Sequence, residues 1–330
     1  MELPFENEGR GYKLIRATAL QRKINLKSDI KAFFQIRRAL SSENPDIIHT
    51  HMSKAGVLGR LAAISLFSQA RLVHSYHGHV LDGYFNKSAT QFFTLIERFI
   101  GKRTDAFLFD GNRTLHDIKL MNIKPRRKMR VILPGLLKSV PDLESSQKMK
   151  IPGTVLVVAR LEQVKRIDLV LEVAAELAST YSERDFRVII IGDGQLRNEL
   201  EQSSIDRALP VRFLGWKENL DQDYREAELF LSVSDSEGTP ISFMEAASFA
   251  CPIISTRVGS VEDIVEDHET GILCNSDPTE IAQAINFLSS NSDIRLKFGE
   301  NARIKALTEF ELDTFLKKHA NFYESLLAPN

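Results

Sequence analysis

The chain has 330 residues, of which 43% are hydrophobic and 26% are charged, so it can bury the cores of two domains of roughly 150 residues each. This composition excludes a disordered, collagen-like or coiled-coil protein. Its two cysteines, Cys251 and Cys274, are too few for a disulfide framework. The acidic start differs from a secretory signal, and no stretch is apolar enough to span a membrane. We therefore expect a cytoplasmic protein.

Charge is distributed unevenly along the chain. Residues 1–150 carry 26 lysines and arginines against 13 aspartates and glutamates, a formal charge of +13, whereas residues 151–330 carry 17 against 31, a formal charge of −14. A surplus of basic residues indicates a surface for anionic partners. We expect the first half to face such a partner and the second half to perform a different task.

Short apolar runs alternate with longer amphipathic stretches in both halves. The apolar runs predict strands at 46–50, 71–75, 106–109, 129–133, 154–159, 186–191, 228–233 and 252–256. The amphipathic stretches predict helices at 88–103, 166–180, 195–206 and 240–250. This alternation is typical of parallel sheets covered by helices on both faces, so we expect an α/β protein with two Rossmann-like, doubly wound domains.

A polar stretch without apolar periodicity separates the two halves. It contains Pro141, Ser145 and Ser146, as is typical of a linker. We expect an N-terminal domain at 1–140, a linker at 141–152 and a C-terminal domain at 153–306.

Ligands of open α/β sheets bind beyond the carboxyl ends of the strands, and four such ends in the second half carry unusual residues. The fourth, Thr256-Arg257-Val258-Gly259-Ser260, is a glycine-containing loop that could close the pocket. Arg160 and Lys165 follow the first strand, and two cations near a helix N-terminus can bind a diphosphate. Solvated surface charges are the alternative. The turn Gly192-Asp193-Gly194 follows the second strand and could let a ligand approach the backbone, although an ordinary turn would also explain it.

The third strand end leads into a helix that Thr239 is expected to cap, with Pro240 at the first helical position. Glu245 is the only charged residue between Glu237 and Arg257. Burying a carboxylate without partners costs several kcal/mol, so Glu245 must face water or accept specific hydrogen bonds. Hydroxyls of a sugar or ribose could supply those bonds.

Taken together, these residues resemble the signature of retaining GT-B glycosyltransferases of glycosyltransferase family 4. In the second half the resemblance rests on Arg160 with Lys165, Gly192-Asp193-Gly194, Phe213-Leu214-Gly215-Trp216, and Glu237-Gly238-Thr239-Pro240 with Glu245, where the two glutamates have an E-x7-E spacing. In the first half, Asp46-Ile47-Ile48-His49-Thr50-His51, Lys54-Ala55-Gly56, Gly59-Arg60, His77-Gly78-His79 and Gly83-Tyr84-Phe85 are similar to the bacterial capsule, exopolysaccharide and lipopolysaccharide members.

The resemblance implies transfer of a sugar from a nucleoside diphosphate donor, expected to be uridine-linked, with retention of anomeric configuration. Arg160 and Lys165 would stabilise the leaving diphosphate, Glu237 would contact the donor sugar and Glu245 would hold the ribose. His77 would approach the sugar from the other domain. The implied donor site also includes Gly192, Asp193, Gly194, Gly238, Thr239 and Pro240. The segment 307–330 would cross back to the first domain.

Two patterns could indicate a metal instead. His77 and His79 lie close together but lack a third spaced ligand. Asp221-Gln222-Asp223 is a D-x-D motif, yet its polar surroundings favour the first turn of a helix, where negative charge is stabilising. Because Arg160 and Lys165 can supply the positive charge, we expect a metal-independent reaction without a cofactor.

A basic cluster and an apolar helix bear on the acceptor. Lysines and arginines concentrate within residues 124–130, and the helix predicted at 88–103 is rich in phenylalanine. This combination could rest on anionic lipid at the inner face of the cell membrane, where a glycan or a polyprenyl-diphosphate-linked sugar would be the acceptor. Alternatively, the aromatic residues belong to the core and the basic residues are solvated. No nucleic-acid-binding module is present.

The start of the chain departs from the family. The usual first strand and glycine-rich loop are absent, so the first domain is expected to be truncated by on the order of 60 residues relative to a domain of typical size. Either the true start lies upstream of this sequence, or the chain is a non-catalytic remnant that binds nucleotide sugars. A nucleotide-sugar epimerase of the same two-domain architecture is a further alternative.

Overall fold

The computed structural model describes residues 12–21, 23–77, 87–142 and 149–328. The residues Gly78, His79, Gly83, Tyr84, Phe85, Ser145 and Ser146, which entered the sequence interpretation, lie outside this description. The chain divides into two compact units, one within Met1–Tyr76, Val80–Phe107 and Asn122–Lys128, the other within His77–His79, Leu108–Met121 and Met129–Asn330. The domain boundaries deduced from the sequence stay predictions.

The first sheet contains four strands in the order β1-β2-β3-β4. Its elements are α1 (Leu26–Glu43), β1 (Ile47–His51), α2 (Ser53–Ser65), β2 (Arg71–Tyr76), α3 (Lys87–Gly101), β3 (Ala106–Phe109), α4 (Asn112–Leu120) and β4 (Lys128–Val131). Strands β1 and β2 run parallel with Ile48 opposite Leu72. These two side chains pack with Ala63 in a small buried cluster, which joins α2 to the sheet.

The second sheet contains six strands in the order β10-β9-β8-β5-β6-β7, each parallel to its neighbours. The elements run β5 (Ile151–Val158), a 3₁₀ turn (Gln163–Lys165), α5 (Ile167–Thr180), β6 (Arg187–Ile191), α6 (Arg197–Asp206), β7 (Val211–Gly215), α7 (Asp221–Glu226), β8 (Ala227–Ser232), α8 (Ile241–Ser248), β9 (Ile253–Thr256), a second 3₁₀ turn (Val261–Asp263), β10 (Gly271–Cys274), α9 (Pro278–Ser290), α10 (Ser292–Lys305), a π-helical turn (Ala306–Phe310) and α11 (Leu312–Leu327).

Helices cover both faces of this sheet. Val155 and Val157 of β5 belong to one buried cluster, which includes residues of α5 and α9. Leu156, between them in sequence, belongs to a second buried cluster on the opposite face, which includes residues of α8. The alternation of side chains along a strand produces these two layers, and it confirms the doubly wound parallel sheet predicted from the apolar runs.

Every predicted strand and helix is present, with ends shifted by at most a few residues. The D-x-D segment begins α7, as expected from its polar surroundings. The prediction that Thr239 caps a helix is wrong. Pro240 is the N-cap residue, the helix begins at Ile241, and the Thr239 hydroxyl donates to the carbonyl oxygen of Asp110 instead.

Candidate functional site

The topology of the six-stranded sheet creates a crevice between β5 and β8. The chain leaves β5 toward β6 and β7 on one side and then returns to β8 on the other side. Such a switch point opens a cleft beyond the carboxyl ends of the two strands, where ligands of open α/β sheets bind. The loops that follow β5 and β8 are joined there by a hydrogen bond of 2.9 Å from the Asp235 amide to the Val164 carbonyl.

A lysine and a glutamate form an ion pair at this switch point. Lys165 ends the 3₁₀ turn after β5, and its Nζ lies 2.6 Å from Oε1 of Glu237, which follows β8. The Ser234 hydroxyl donates to the same oxygen at 2.6 Å. The two charged side chains are only 17% and 8% exposed. Sequence reasoning selected both charged residues but missed Ser234, which lacks a motif of its own.

The N-terminus of α5 adds partial positive charge beside the pair. Arg166 adopts a left-handed conformation (φ 50°), which ends the 3₁₀ turn and begins α5 directly after Lys165. Amide groups in the first turn of a helix favour an anion nearby. Lys165 and this helix end therefore contribute positive potential on one side of Glu237, and the Asp168 carboxylate in the first turn, which pairs with Arg166, partly offsets it.

Arg160 lies on the same loop but contacts a different group. Its Nη1 is 2.7 Å from Oε1 of Glu162, and its side chain is 70% exposed. A surface cavity of about 540 Å³ nearby is lined by Glu162, Gln163, Val164, Gln195 and Asp235. Its two carboxylates disfavour a diphosphate, so the chemistry of the crevice favours the ion pair rather than this cavity as the anion site. Arg160 therefore pairs with Glu162 and not with Glu237.

The turn Gly192-Asp193-Gly194 packs closely against the loop after β5. A Cβ atom on Gly192, whose φ is 143°, would lie 1.8 Å from the Ala159 carbonyl oxygen, and one on Gly194 would lie 2.4 Å from that of Leu161. The amide of Leu161 also donates to the carbonyl of Asp193 at 3.0 Å. Glycine is therefore required here to bring two loops together, which explains both positions without a ligand.

Gly238 is different because the space beside it is open. A Cβ atom at this position would meet no heavy atom within 4 Å. The preceding carbonyl, that of Glu237, lies against Gly259, whose φ is 56° and whose own Cβ would fall 1.8 Å from that oxygen. The backbone after Glu237 is thus fixed on one side and accessible on the other.

Glu245 is held by a tyrosine from a distant part of the sequence. The Tyr224 hydroxyl donates to Oε2 of Glu245 at 2.8 Å, and Tyr224 is only 2% exposed. Burial and the adjacent carboxylate of Glu245 raise the pKa of Tyr224 well above its usual value, so the phenol stays protonated and donates. Glu245 itself is half-buried on α8. Glu245 thus accepts a specific hydrogen bond, as expected from the sequence, and the donor of this bond is a tyrosine of the protein.

His77 lies beside Asp110 at the end of β2. Its Nδ1 is 3.6 Å from Oδ2 of Asp110. The other oxygen of Asp110 is buried, as is the hydroxyl oxygen of Ser260, and neither has a hydrogen-bond partner within the part of the chain that the structure describes. Buried polar atoms without partners are rare, so these two oxygens are candidates for contact with a bound hydroxyl. Sequence reasoning assigned no role to Asp110 and placed Ser260 only in a loop that could close the pocket.

The described residues contain no group of three side chains suited to holding a metal ion. Asp221 pairs with Lys138 and Asp223 with Lys217, each at 2.6 Å. Their carboxylates are therefore neutralised by lysines of the protein.

Solved structures resemble this fold. The chain is similar to Anabaena HepE, solved in complex with UDP, with a TM-score of 0.76 and 18% identity over 88% of this chain and 82% of that one. It is also similar to a glycosyltransferase from Rickettsia africae, with a TM-score of 0.74 and 16% identity over 94% of this chain and 84% of that one. At these identities the likeness establishes the fold.

Two family models match the sequence. Residues 2–136 match the model described as Glycosyltransferase Family 4, and residues 142–305 match the model described as glycosyl transferases group 1. The chain is a GT-B glycosyltransferase. It carries the family 4 domain and the group 1 domain in that order.

Two curated relatives of this glycosyltransferase are named for transfer to lipid-linked saccharides. It is 28% identical to the Escherichia coli UDP-Gal:alpha-D-GlcNAc-diphosphoundecaprenol alpha-1,3-galactosyltransferase, over 92% of this chain and 81% of the relative. It is 26% identical to a Campylobacter jejuni alpha-1,4-N-acetyl-D-galactosaminyltransferase that acts on a diNAcBac-PP-undecaprenol-linked saccharide, over 93% of this chain and 82% of the relative.

Proposed function

We propose that this glycosyltransferase moves a sugar from a uridine diphosphate donor to a saccharide carried on a polyprenyl diphosphate, with retention of anomeric configuration. The observation that carries the proposal is the pair of relatives named for diphosphoundecaprenol-linked saccharides, each matched over nine tenths of this chain. The UDP complex of HepE supports the choice of nucleotide. The product would be a cell-surface polysaccharide such as a lipopolysaccharide, capsule or exopolysaccharide.

The chemistry of the switch point fits a departing diphosphate. Transfer breaks the bond between the anomeric carbon and the β-phosphate oxygen, so negative charge grows on the diphosphate. Lys165 and the N-terminus of α5 lie where they would stabilise that charge, and Arg160 would join them by turning away from Glu162. Preorganised positive groups of this kind supply a large share of transfer catalysis, and they allow the reaction to proceed without a metal.

The polar groups around Lys165 fit the rest of the donor. Glu237, already oriented by Ser234, would accept hydrogen bonds from the sugar, whose ring would lie against the open backbone at Gly238. The unpartnered Asp110 oxygen would accept a further sugar hydroxyl beside His77. Glu245, steadied by Tyr224, would accept the ribose hydroxyls.

The membrane would be the place of the reaction. Among the helices that the structure describes, none has the length and apolar character needed to cross a bilayer. A polyprenyl diphosphate acceptor is nevertheless anchored in lipid, whereas nucleotide sugars dissolve in water. We propose that the chain works as a peripheral protein at the cytoplasmic face of the cell membrane.

Transfer by the purified full chain tests the proposal. The enzyme is incubated with UDP-sugars and a short-chain polyprenyl diphosphate saccharide, with and without EDTA, and the anomeric configuration of the product is determined by NMR. We expect an α-linked product that EDTA does not suppress. Arg160→Ala should lower the rate on the order of 100-fold. Arg187→Ala is the matched control, because Arg187 also pairs with a carboxylate two residues away but at the amino end of its strand.

Other outcomes would identify the alternatives. UDP-sugar binding without any transfer would indicate a non-catalytic donor-binding protein. Conversion of the donor sugar without an acceptor would indicate an epimerase. A product of inverted configuration, or a rate that EDTA abolishes, would contradict the proposed mechanism.

A further inference from the structure

Helix α3 exposes three apolar side chains and buries two polar ones, while its Ile100 is buried. Phe92, Leu95 and Phe99 are 59%, 61% and 56% exposed, whereas Thr94 and Glu97 are buried. Positions three and four residues apart share a face of a helix, so the three apolar side chains form one exposed stripe. A helix at a protein surface normally has the opposite arrangement.

A buried ion pair fixes this rotation of α3. Oε1 of Glu97 lies 2.6 Å from Nη2 of Arg60, and Oε2 accepts a hydrogen bond of 2.9 Å from the Tyr76 hydroxyl. Arg60 has no exposed surface. Turning the helix to bury its phenylalanines would leave Arg60 as an uncompensated buried charge, which is strongly destabilising. The outward stripe is therefore a property of the folded unit.

Cations continue the stripe at the C-terminal end of α3. Exposed Lys102 and Arg103 follow the helix directly, and the Arg103 guanidinium lies 4.3 Å from the centre of the Phe99 ring. The arginine thus covers one end of the apolar stripe with positive charge.

A second basic segment lies against the same helix end. The backbone of Lys124 approaches Gly101 so closely that a Cβ atom there would lie 2.9 Å from the Lys124 carbonyl. The Arg126 amide donates to the Thr104 carbonyl at 2.8 Å, and the side chains of Lys124 and Arg126 are exposed. The two carboxylates at this end are buried: Glu97 on α3, and Asp105, whose Oδ1 lies 3.9 Å from Nη1 of the exposed Arg126. The accessible charge at this end is therefore positive.

We propose that the stripe and these cations, together called the α3 surface, dock on an anionic lipid bilayer. The helix would lie in the plane of the interface with Phe92, Leu95 and Phe99 inserted between lipids and with Lys102, Arg103, Lys124 and Arg126 at the headgroups. This proposal deepens the proposed function, on which it rests for the lipid-anchored acceptor. Amphipathic helices with a basic edge bind membranes in this orientation.

Charge favours lipid over a second copy of the chain as the occupant. If two copies packed these stripes together, the like-charged cations at the ends of the two helices would share one interface, and such contacts are destabilising. An anionic bilayer instead contributes attraction for each cation near its surface. The 15 residues of α3 are also too few to span a bilayer, which needs about 20.

Vesicle flotation of the full chain tests the α3 surface. Vesicles contain either phosphatidylcholine alone or phosphatidylcholine mixed with the anionic lipid phosphatidylglycerol, which gives the bilayer a negative surface potential. We expect binding to the anionic vesicles that weakens as salt is raised. Lys102→Gln/Arg103→Gln/Lys124→Gln should lower the partition coefficient on anionic vesicles by about fivefold for each cation. Phe92→Gln/Phe99→Gln should lower binding to both kinds of vesicle.

Matched control variants test whether the loss of vesicle binding is specific to the α3 surface or follows from removing any exposed phenylalanine or lysine. Phe67→Asn removes a phenylalanine that is 89% exposed on the same unit, and Lys27→Gln/Lys31→Gln removes two exposed lysines from α1. Both should bind vesicles as the unmodified chain does. Equal losses in these controls, or no flotation of the unmodified chain, would overturn the proposal. A dimer in sedimentation that Phe92→Gln/Phe99→Gln dissociates, without vesicle binding, would assign the surface to a second copy.

A water-soluble acceptor distinguishes a defect in membrane docking from a defect in sugar transfer. With a water-soluble short-chain acceptor, the α3 variants should keep the transfer rate of the unmodified chain, whereas they should lose rate when the acceptor is held in anionic vesicles. Vesicle binding without any transfer would leave the α3 surface supported and the proposed function contradicted.

Discussion

Replacing Lys165 by methionine should destabilise the second unit, and replacing Glu237 as well should restore it. Lys165→Met keeps the apolar stem but removes the ammonium that lies 2.6 Å from Glu237. The carboxylate, only 8% exposed, then loses its counter-charge. In Lys165→Met/Glu237→Gln neither charge remains, and the amide can still accept the Ser234 hydroxyl.

The size of the effect follows from the burial of the pair. Breaking a buried ion pair by removing one partner costs about 3 to 5 kcal/mol. Here Ser234 still donates to the carboxylate, and a hydrogen bond to a charged group contributes about 1.5 kcal/mol or more. We therefore expect Lys165→Met to lower the free energy of unfolding by about 2 kcal/mol, and the double variant to lie within about 1 kcal/mol of the unmodified chain.

Ligand affinity should not recover with stability. The loss of one charge-assisted contact with the diphosphate should weaken UDP binding about 30-fold, which corresponds to about 2 kcal/mol, in both variants. The affinity of each chain for UDP is measured by isothermal titration calorimetry, which needs no reporter group.

Urea unfolding and UDP titration of the three chains check this reasoning. A Lys165→Met chain as stable as the unmodified one, or a double variant as unstable as the single one, would refute the assignment of a buried pair. A double variant that regained UDP affinity would show that Lys165 does not bind the diphosphate.

Two further predictions concern the remaining polar and glycine positions. Burial, followed by the nearby charge of Arg60, lowers the pKa of His74 to about 2. Since an unfolded histidine binds a proton below about pH 6.5, the free energy of unfolding should fall as the pH drops through that value, by about 2 kcal/mol at pH 5. NMR should show a His74 imidazole that does not titrate between pH 8 and 5, and titration near pH 6.5 would contradict the prediction. Gly192→Ala should unfold at a clearly lower urea concentration, because its Cβ would clash with the Ala159 carbonyl. Gly238→Ala should change the free energy of unfolding by less than about 0.5 kcal/mol but should weaken UDP-sugar binding. Unchanged binding by Gly238→Ala would show that this backbone is not part of the donor site.

Much of the fold and part of the candidate site could be predicted from the sequence. Continuous apolar runs with punctuating glycines specify buried parallel strands, which is why their ends were predicted within a few residues. The carboxyl-end rule then selected Lys165 and Glu237, because a parallel sheet brings all its strand ends to one edge. Their direct contact required knowing that β5 and β8 are neighbours, which no local pattern encodes.

Partners that are distant in the sequence account for what was missed. Tyr224 reaches Glu245 from 21 positions away, and its surroundings in the sequence are polar. Thr239 resembles a helix cap, but its hydroxyl donates to the Asp110 carbonyl, so tertiary contact outweighs the local preference. The sequence showed that the helix at α3 is apolar; the direction of its phenylalanines depends on Glu97 meeting Arg60, which lies 37 residues earlier.

In the proposed donor site, the ion pair at the switch point would contact both the diphosphate and the sugar of one ligand. An ammonium group carries three hydrogens, and the contact with Glu237 uses one of them. The other two hydrogens would donate to a phosphate while the carboxylate accepts hydrogen bonds from the sugar. The Lys165 side chain would then lie beside both groups that the breaking bond joins. Once the sugar has left, the same lysine would hold the nucleotide product more strongly, and UDP should inhibit the enzyme in competition with its donor.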